Sequence, residues 1–433
     1  MKSTAFIRST FCNLQSAIMS RYVLALCLII SSRFSVAQFV SLDSVLNRIE
    51  QNNPQLISYQ YKVNAGNALA AGAGSWMSPT AGIGLDQTPY AVSSDETFFN
   101  RDEGAAVLFL EQEIPNPSKQ KANRNYLHSL TAIDSSAWNT EKNELFTEAK
   151  DAYIQRYIAE KRLKIINSEI DLLELIIQSS SIQFTNNQDD LPAVYKAQAR
   201  KHTLEAMRAH EKSGADEATA TLNYLMNFPQ GTTFAIDTFI RHKGYTIADL
   251  DTTAAYIETH RSDVQQIDHS IYSMNMNTAL ARSAAKPDFG IRYEHYDMFG
   301  SRNTFSLMGS ITIPIVPWAS KGYKSESVSM QQQVNAMNFE KQNLINQSRS
   351  EMHASLLHTL AEYEEVDHYE KEVIPSYRKA FESSLISYRD NNGSLLFTLM
   401  AWDDLNMAQM EYLYHLEQAY QSEIGYEHAI EKK

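Results

Sequence analysis

Cysteine is almost missing from this chain: Cys12 and Cys27 are the only two. Nothing beyond them can form a disulfide or a thiolate metal site. Backbone punctuation is sparse as well, with 15 Gly and 11 Pro in 433 residues. So few breakers argue against a fold of many short strands and tight turns. Lys/Arg-rich blocks are absent and the formal net charge is -13. Nucleic acid, whose phosphates call for clustered cations, is thereby excluded as a partner. No run reaches the roughly 18 apolar residues of a membrane-spanning helix.

The N-terminus carries a targeting signal. From Met19, a second candidate start, the chain reads "MSRYVLALCLIISSRFSVAQ", with Arg21, an apolar run from Tyr22 to Ile30, and then Ser35-Val36-Ala37. Small residues at Ser35 and Ala37 suit cleavage before Gln38, so residues 1–37 read as a secretory signal peptide. The alternative is a buried N-terminal core helix. Leu26 precedes Cys27 where a lipoprotein signal would carry a small residue, so lipidation is not expected. Cleavage before Gln38 would leave the exported chain without cysteine.

The remainder reads as one unit written twice. "NNPQLISYQ" from Asn52 aligns with "HRSDVQQID" from His260, and "PTAGIGLD" at Pro79 with "PDFGIRYE" at Pro287. Two Ile-Pro junctions follow, "EQEIPNPSK" from Glu111 and "ITIPIVPWASKG" from Ile311. "FTNNQDDL" around Asn187 then matches "YRDNNGSL" around Asn392. Landmarks in the same order at nearly the same spacing indicate an internal two-fold repeat, with a shorter loop between the strands of the second copy. The chain divides into a first copy (38–228), a linker (229–245) and a second copy (246–433). Each copy predicts a helical segment (Ser41 to about Ala73; Thr246 to about Ser283), two strands, a very long helix, a polar turn and a second long helix.

The strands carry most of the information. Phe289, Ile291, Tyr293 and His295 alternate with Asp288, Gly290, Arg292, Glu294 and Tyr296. Phe305, Leu307, Gly309, Ile311 and Ile313 alternate with Thr304, Ser306, Met308, Ser310 and Thr312. In the first copy Ala81, Ile83 and Leu85 oppose Gly82, Gly84 and Asp86, and Ala106, Leu108 and Leu110 oppose Val107, Phe109 and Glu111. Period-two alternation gives each strand one apolar and one polar face. A half-buried sheet of a soluble domain accounts for any single strand. Four such strands in an exported chain match outer-membrane barrel strands, apolar toward lipid and polar toward a lumen. Four cannot close a barrel, and open edges are not tolerated in lipid, so a membrane reading requires several copies to assemble.

The helical segments point away from the membrane. Leu145, Ala149, Ala152, Ala159, Leu163, Ile166, Ile170, Leu173 and Ile177 form a heptad seam interrupted by Arg156. Met352, Leu356, Leu360, Tyr363 and Val366 form a looser stripe. A helix from Ser118 to Phe184 would run about 100 Å, which suits a tube or rod. At the two Ile-Pro junctions proline ends a strand by removing a donor and tolerates a helix start, with Ser118 and Ser320 expected as N-caps.

This combination resembles the TolC-type outer-membrane efflux proteins over about residues 40–430. "SLDSVLNRIEQNNPQL" looks like that family's opening helix, "PDFGI" and "GSITIPI" like its second strand pair, and "EQEIPNPSKQKA" like its heavy-metal branch, the CusC- and CzcC-like proteins. The resemblance implies an α+β membrane protein of long coiled-coil hairpins plus four transmembrane strands per protomer. Three protomers would make a twelve-stranded barrel continued by a helical tunnel. It also implies an outer-membrane exit duct with a large periplasmic part, a homotrimer in lipid, a periplasmic adaptor, and an inner-membrane pump of RND type. The adaptor would dock near the hairpin tips, here Asn186, Asn187, Asp189, Asp190 and Leu191 at the first, and Asn391, Asn392, Gly393, Ser394 and Leu395 at the second. Family members narrow the tunnel with carboxylates just after the second tip. Phe397 and Met400 occupy the matching positions, with Asp403 and Asp404 about one turn later, and these four are the aperture candidates.

No enzyme, cofactor or metal motif is expected. The 12 His show no HExxH spacing, and His353 and His358 lie off one helical face. Met274 and Met276 read as packing rather than thioether ligands. "AGAGSWMSPTAGIG" from Ala71 lacks a phosphate-loop lysine and precedes a strand. The contrasting functional reading is a periplasmic adaptor or secreted coiled-coil scaffold that conducts nothing.

Overall fold

The computed structural model describes residues 38–88, 103–185, 191–241, 243–246, 249–390 and 392–431. The proposed signal segment, the first tip residues Asn186, Asn187, Asp189 and Asp190, and Asn391 at the second tip lie outside the described residues. The described residues are mostly helical, with one four-stranded and one two-stranded sheet. In order come β1 (Gln38–Phe39), α1 (Leu42–Asn52), α2 (Pro54–Gly72), β2 (Thr80–Asp86), β3 (Ala105–Ile114), α3 (Pro117–Thr185), α4 (Leu191–Leu225) and β4 (Phe234–Ala235). Then follow α5 (Asp249–His260), α6 (Ser262–Ser283), β5 (Phe289–Met298), β6 (Thr304–Ile311), α7 (Pro317–His368), a π-helical turn (Tyr369–Val373), α8 (Ile374–Arg389) and α9 (Leu395–Ile430).

Each opening helical segment is two helices rather than one. Asn53 ends α1 in extended conformation and caps α2, its Oδ1 accepting from the Gln55 N–H at 2.9 Å, with Pro54 as the first helical residue. Proline there has no i−4 bond to lose and a φ already set for helix. In the second segment Arg261 is the extended residue between α5 and α6.

The long α3 has 69 residues, about 100 Å at 1.5 Å per residue. Its seam packs as the spacing required. Leu145, Ala149, Ala152, Ala159, Ile166, Ile170 and Leu173 are buried, with Leu163 and Ile177 half-buried. Arg156 interrupts the seam for a reason. Its Nη2 donates to the Phe234 carbonyl, its Nε lies 3.0 Å from Glu160 Oε1, and its guanidinium stands 4.5 Å over the Phe234 ring. The arginine thus anchors β4, which pairs in parallel with β1. Residues 229–245, expected as a plain linker, are in part a strand held in the core.

One core unites α1, α3, α4 and α9 through Val45, Ile49, Tyr153, Ile158, Leu222 and Ala419. A second, farther along α3, α4 and α9 and joined by α8, holds Ile166, Leu173, Ala197, Phe381, Leu395 and Trp402. The second hairpin differs from the first, because α7 passes through the π turn into α8. Pro375 lies just beyond it and cannot donate to the Lys371 carbonyl four residues back, so the Ile374 N–H reaches instead to Tyr369, five residues back.

Among the described residues no helix is long and apolar enough to cross a membrane.

Candidate functional site

The four strands form one antiparallel sheet in the order β2-β3-β5-β6. Directly opposed residues share a face, so the register assigns both faces. One face carries the rows Ile83–Leu108–His295–Phe305 and Ala81–Leu110–Tyr293–Leu307, with Ile114–Phe289–Ile311 at one end. Its side chains are uncovered: Ile83 is 84% exposed, Phe305 71% and Leu307 68%. A contiguous apolar patch of this kind marks a surface meant for another apolar phase or partner. Among the described residues β2 and β6 each pair on one side only, so both edges are open.

The other face is polar and internally bonded. Its rows are Thr80–Glu111–Arg292–Met308, Gly82–Phe109–Glu294–Ser306 and Gly84–Val107–Tyr296–Thr304. Arg292 stands at its centre, with Nε 2.7 Å from Glu294 Oε1, Nη1 3.6 Å from Glu111 Oε2, and the guanidinium 4.5 Å from the Phe109 ring. Tyr296 donates to Glu294 Oε2 at 2.6 Å. Gly82 leaves room for the Phe109 ring, since a Cβ there would lie 2.5 Å from two ring carbons. The sheet is thus amphipathic from side to side, as the alternation required.

Below the sheet, both Ile-Pro junctions hang on Asp288. Its Oδ1 accepts from the Asn116 N–H at 2.9 Å, and its Oδ2 lies 2.5 Å from Lys119 Nζ. Its own N–H donates to Thr312 Oγ1 at 2.7 Å, and the Thr312 N–H returns to its carbonyl at 3.0 Å. Burial pushes the Asp288 carboxyl up, but the Lys119 ammonium and the Asn116 amide outweigh that and hold it below the usual carboxylate range. In the sequence Asp288 is only one residue of a strand face, since its partners lie on two other segments.

Neither Ser118 nor Ser320, the expected caps, is an N-cap. Asn116, not Ser118, caps α3, its Oδ1 accepting from the Ser118 N–H at 3.0 Å. At the second junction Val316 is the N-cap and uses no side-chain bond, while Ser320 is buried inside the first turn of α7. Pro117 and Pro317 explain both shifts: each is the first residue of its helix, upstream of the serine.

At the second tip, Asn392 donates its N–H to the Ser387 carbonyl at 2.9 Å, and Ser394 caps α9 by accepting from the Leu396 N–H at 3.2 Å. Gly393 is forced by close approach, because a Cβ would stand 3.0 Å from the Tyr388 backbone nitrogen. Leu395 is buried, whereas Leu191 at the start of α4 is exposed. The aperture candidates separate. Phe397, Met400 and Asp404 share one exposed face of α9, with Met407 a turn further on. Asp403 turns aside to accept from Arg200 Nη2 at 2.8 Å.

Two further groups of charged residues were not legible in the sequence. Glu427, buried on α9, meets Lys150 Nζ at 2.7 Å and Lys243 Nζ at 2.5 Å, and accepts from the Tyr245 hydroxyl at 2.9 Å. Burial raises its carboxyl, but Lys150 and then Lys243 bring it below the ordinary value. The second group is Glu362, Glu365 and His415, whose ligand atoms all lie within 4.8 Å of one another. Their donors come from α7 and α9, some fifty positions apart, so no spacing rule could find them.

No protein-family model matches the chain, and no curated protein matches it in sequence. Solved structures do match. The outer-membrane channel OprN superposes with a TM-score of 0.72 at 14% identity, over 90% of both chains. The outer membrane protein VceC of Vibrio cholerae gives 0.69 at 14%, over 90% of this chain and 95% of VceC. CusC, whose structures concern folding and transmembrane channel formation, gives 0.69 at 15%, over 92% of this chain and 95% of CusC. These three stand at one level of similarity, so the match singles out no CusC-like branch. With nine-tenths of its length superposed on such proteins, this chain has the fold of the TolC-type outer-membrane channels.

Proposed function

We propose that the chain is the outer-membrane exit duct of a tripartite efflux system. The observation that carries this reading is the open-edged, four-stranded sheet with an exposed apolar face and a bonded polar face, set on long helices of which α3 runs about 100 Å. Ten-residue strands such as β3 and β5, tilted by about 45°, rise roughly 24 Å, close to the height of a barrel's apolar band. The free edges of β2 and β6 then call for other copies of the chain. Three protomers would close a twelve-stranded barrel, lipid outside and the Arg292 face inside. The two halves of the chain, 38–228 and 246–433, act as repeats that each contribute one strand hairpin and one helical hairpin.

Conduction is passive, and energy comes from an inner-membrane pump of RND type through a periplasmic adaptor. The adaptor engages the tips, with Leu191, Asn392, Gly393, Ser394 and Leu395 in the described parts. Phe397, Met400 and Asp404 form the narrowest ring, more apolar than acidic, which dilates when the tips are engaged. Residues 1–37 direct export. The test is the mature protein extracted from outer membranes in detergent, with its oligomeric mass and its single-channel conductance in a planar bilayer measured. A trimer with small, gated conductance is the expected result. A water-soluble monomer that conducts nothing would return the sheet to a soluble scaffold.

A further inference from the structure

We infer that Glu362, Glu365 and His415, with His358 at the mouth, form a binding site for a divalent first-row transition cation of the Zn²⁺ type. His358, Glu362 and Glu365 fall at i, i+4 and i+7 along α7 and so share one face. That face looks onto His415 of α9. His415 Nδ1 lies 2.9 Å from Glu362 Oε2 and 3.1 Å from Glu365 Oε2, and His358 Nδ1 lies 3.6 Å from Glu362 Oε1.

Two features distinguish this cluster from an ordinary ion pair. Two carboxylates converge on one imidazole nitrogen, and a neutral histidine has a single proton to offer them there. Among the ion pairs of the described residues, no lysine or arginine meets either carboxylate. Two carboxylates are therefore gathered on one partly desolvated spot with no lysine or arginine of the described residues paired to them, and a divalent cation supplies a counter-charge. The geometry is close to what such an ion takes. Donors about 2.1 Å from a tetrahedral Zn²⁺ stand roughly 3.4 Å from each other, and the ligand atoms of Glu362, Glu365 and His415 already lie within 4.8 Å of one another, so shifts of about an ångström bring these three onto one ion. Imidazole with carboxylates, and no thiolate, suits Zn²⁺ and its first-row neighbours.

The surroundings fit as well. Glu362 and His415 are half-buried, while Glu365 and His358 open to solvent, so a hydrated ion can enter and exchange water for ligands. The Tyr369 ring, at the start of the π turn, lies 5.4 Å from the His415 ring and packs against it. The site joins α7 to α9 immediately before that turn, so an occupied site would tie the two helices together. It lies in the helical part and stands whether or not the protein conducts.

The test uses the untagged mature protein, titrated with ZnCl₂ by calorimetry and with CoCl₂ by visible absorption. One Zn²⁺ per protomer is expected, together with cobalt d–d bands that Zn²⁺ abolishes and that millimolar Mg²⁺ or Ca²⁺ does not. His415→Ala and Glu362→Gln should each weaken Zn²⁺ binding by about 100-fold or more, since a ligand counts for more than the 10- to 100-fold of an outer-shell partner. His202→Ala, at an exposed pair with Glu205, should leave it unchanged. Retained binding in His415→Ala, displacement of Zn²⁺ by Mg²⁺, or no cobalt spectrum would each overturn the assignment. The cobalt spectrum is read on the unaltered protein, so it decides the matter even if a variant misfolds.

Discussion

Leu307 and Ser306 are neighbours on β6 that point to opposite faces of the sheet, and an arginine at each separates a membrane sheet from a soluble one. Leu307 ends the apolar row Ala81–Leu110–Tyr293–Leu307, whereas Ser306 ends the polar row Gly82–Phe109–Glu294–Ser306. If the apolar face meets lipid, Leu307→Arg near the bilayer midplane costs about 2–4 kcal/mol per protomer. That is roughly 30- to 1,000-fold in insertion, and it enters once for every copy in the assembly. In water the same exposed substitution would change stability by about 0.5 kcal/mol or less, around twofold. The two cases do not overlap. Ser306→Arg puts its charge beside Glu294 on the bonded face, so near-normal assembly is expected. The assay is the fraction of total protein recovered as inserted oligomer from outer membranes, by quantitative blotting and by mass in detergent. Insertion of Leu307→Arg at the unaltered level would refute the lipid-facing assignment, and so would equal failure of both variants.

Three further outcomes are expected. Glu427→Gln leaves Lys150 buried without its nearest counter-charge, which should cost about 3–5 kcal/mol and lower the melting temperature in detergent by roughly 3–6 °C. Lys150→Met in the same chain should restore at least half, and strict additivity of the two changes would count against the pair. Asp151, whose carboxyl burial pushes up to about 6, favours the fold when protonated. Its contribution is present below about pH 4 and is lost as pH rises through about 6. Asp151→Asn should therefore stabilise the protein by about 1–2 kcal/mol at pH 8, after allowing for solvent screening, and leave it unchanged at pH 4; denaturant melts at both values read this directly. Gly393→Val would drive a side chain against the Ser387–Tyr388 backbone, costing about 1–3 kcal/mol locally, and limited proteolysis should show faster cleavage at the second tip with the rest of the chain intact.

The strands and long helices were legible in the sequence because a single periodicity defines each. Alternation from Phe289 and from Thr304 foretold β5 and β6 with both of their faces, although Ile313 and Ile315 continue the apolar pattern beyond the strand that ends at Ile311. The seam from Leu145 foretold the buried stripe of α3. Local punctuation was legible only in outline. Proline marks both junctions, yet the sequence points to the following serines as caps, because the choice between Asn116 and Ser118 depends on which oxygen reaches a free N–H. Pro375 was present in the sequence too, and only the observed backbone shows its helix adjusting by one wide turn rather than ending.

Tertiary structure alone decided what meets across elements. Asp288 ties two junctions through partners on two other segments, Arg156 leaves its seam to hold β4, and Glu362, Glu365 and His415 converge from two helices. Periodicity assigns a residue to a face of its own element. Which residue of another element it opposes depends on helix length, register and crossing, and those are properties of the packed chain. The sequence by itself determined an amphipathic sheet on long helices; packing decided where its charges meet.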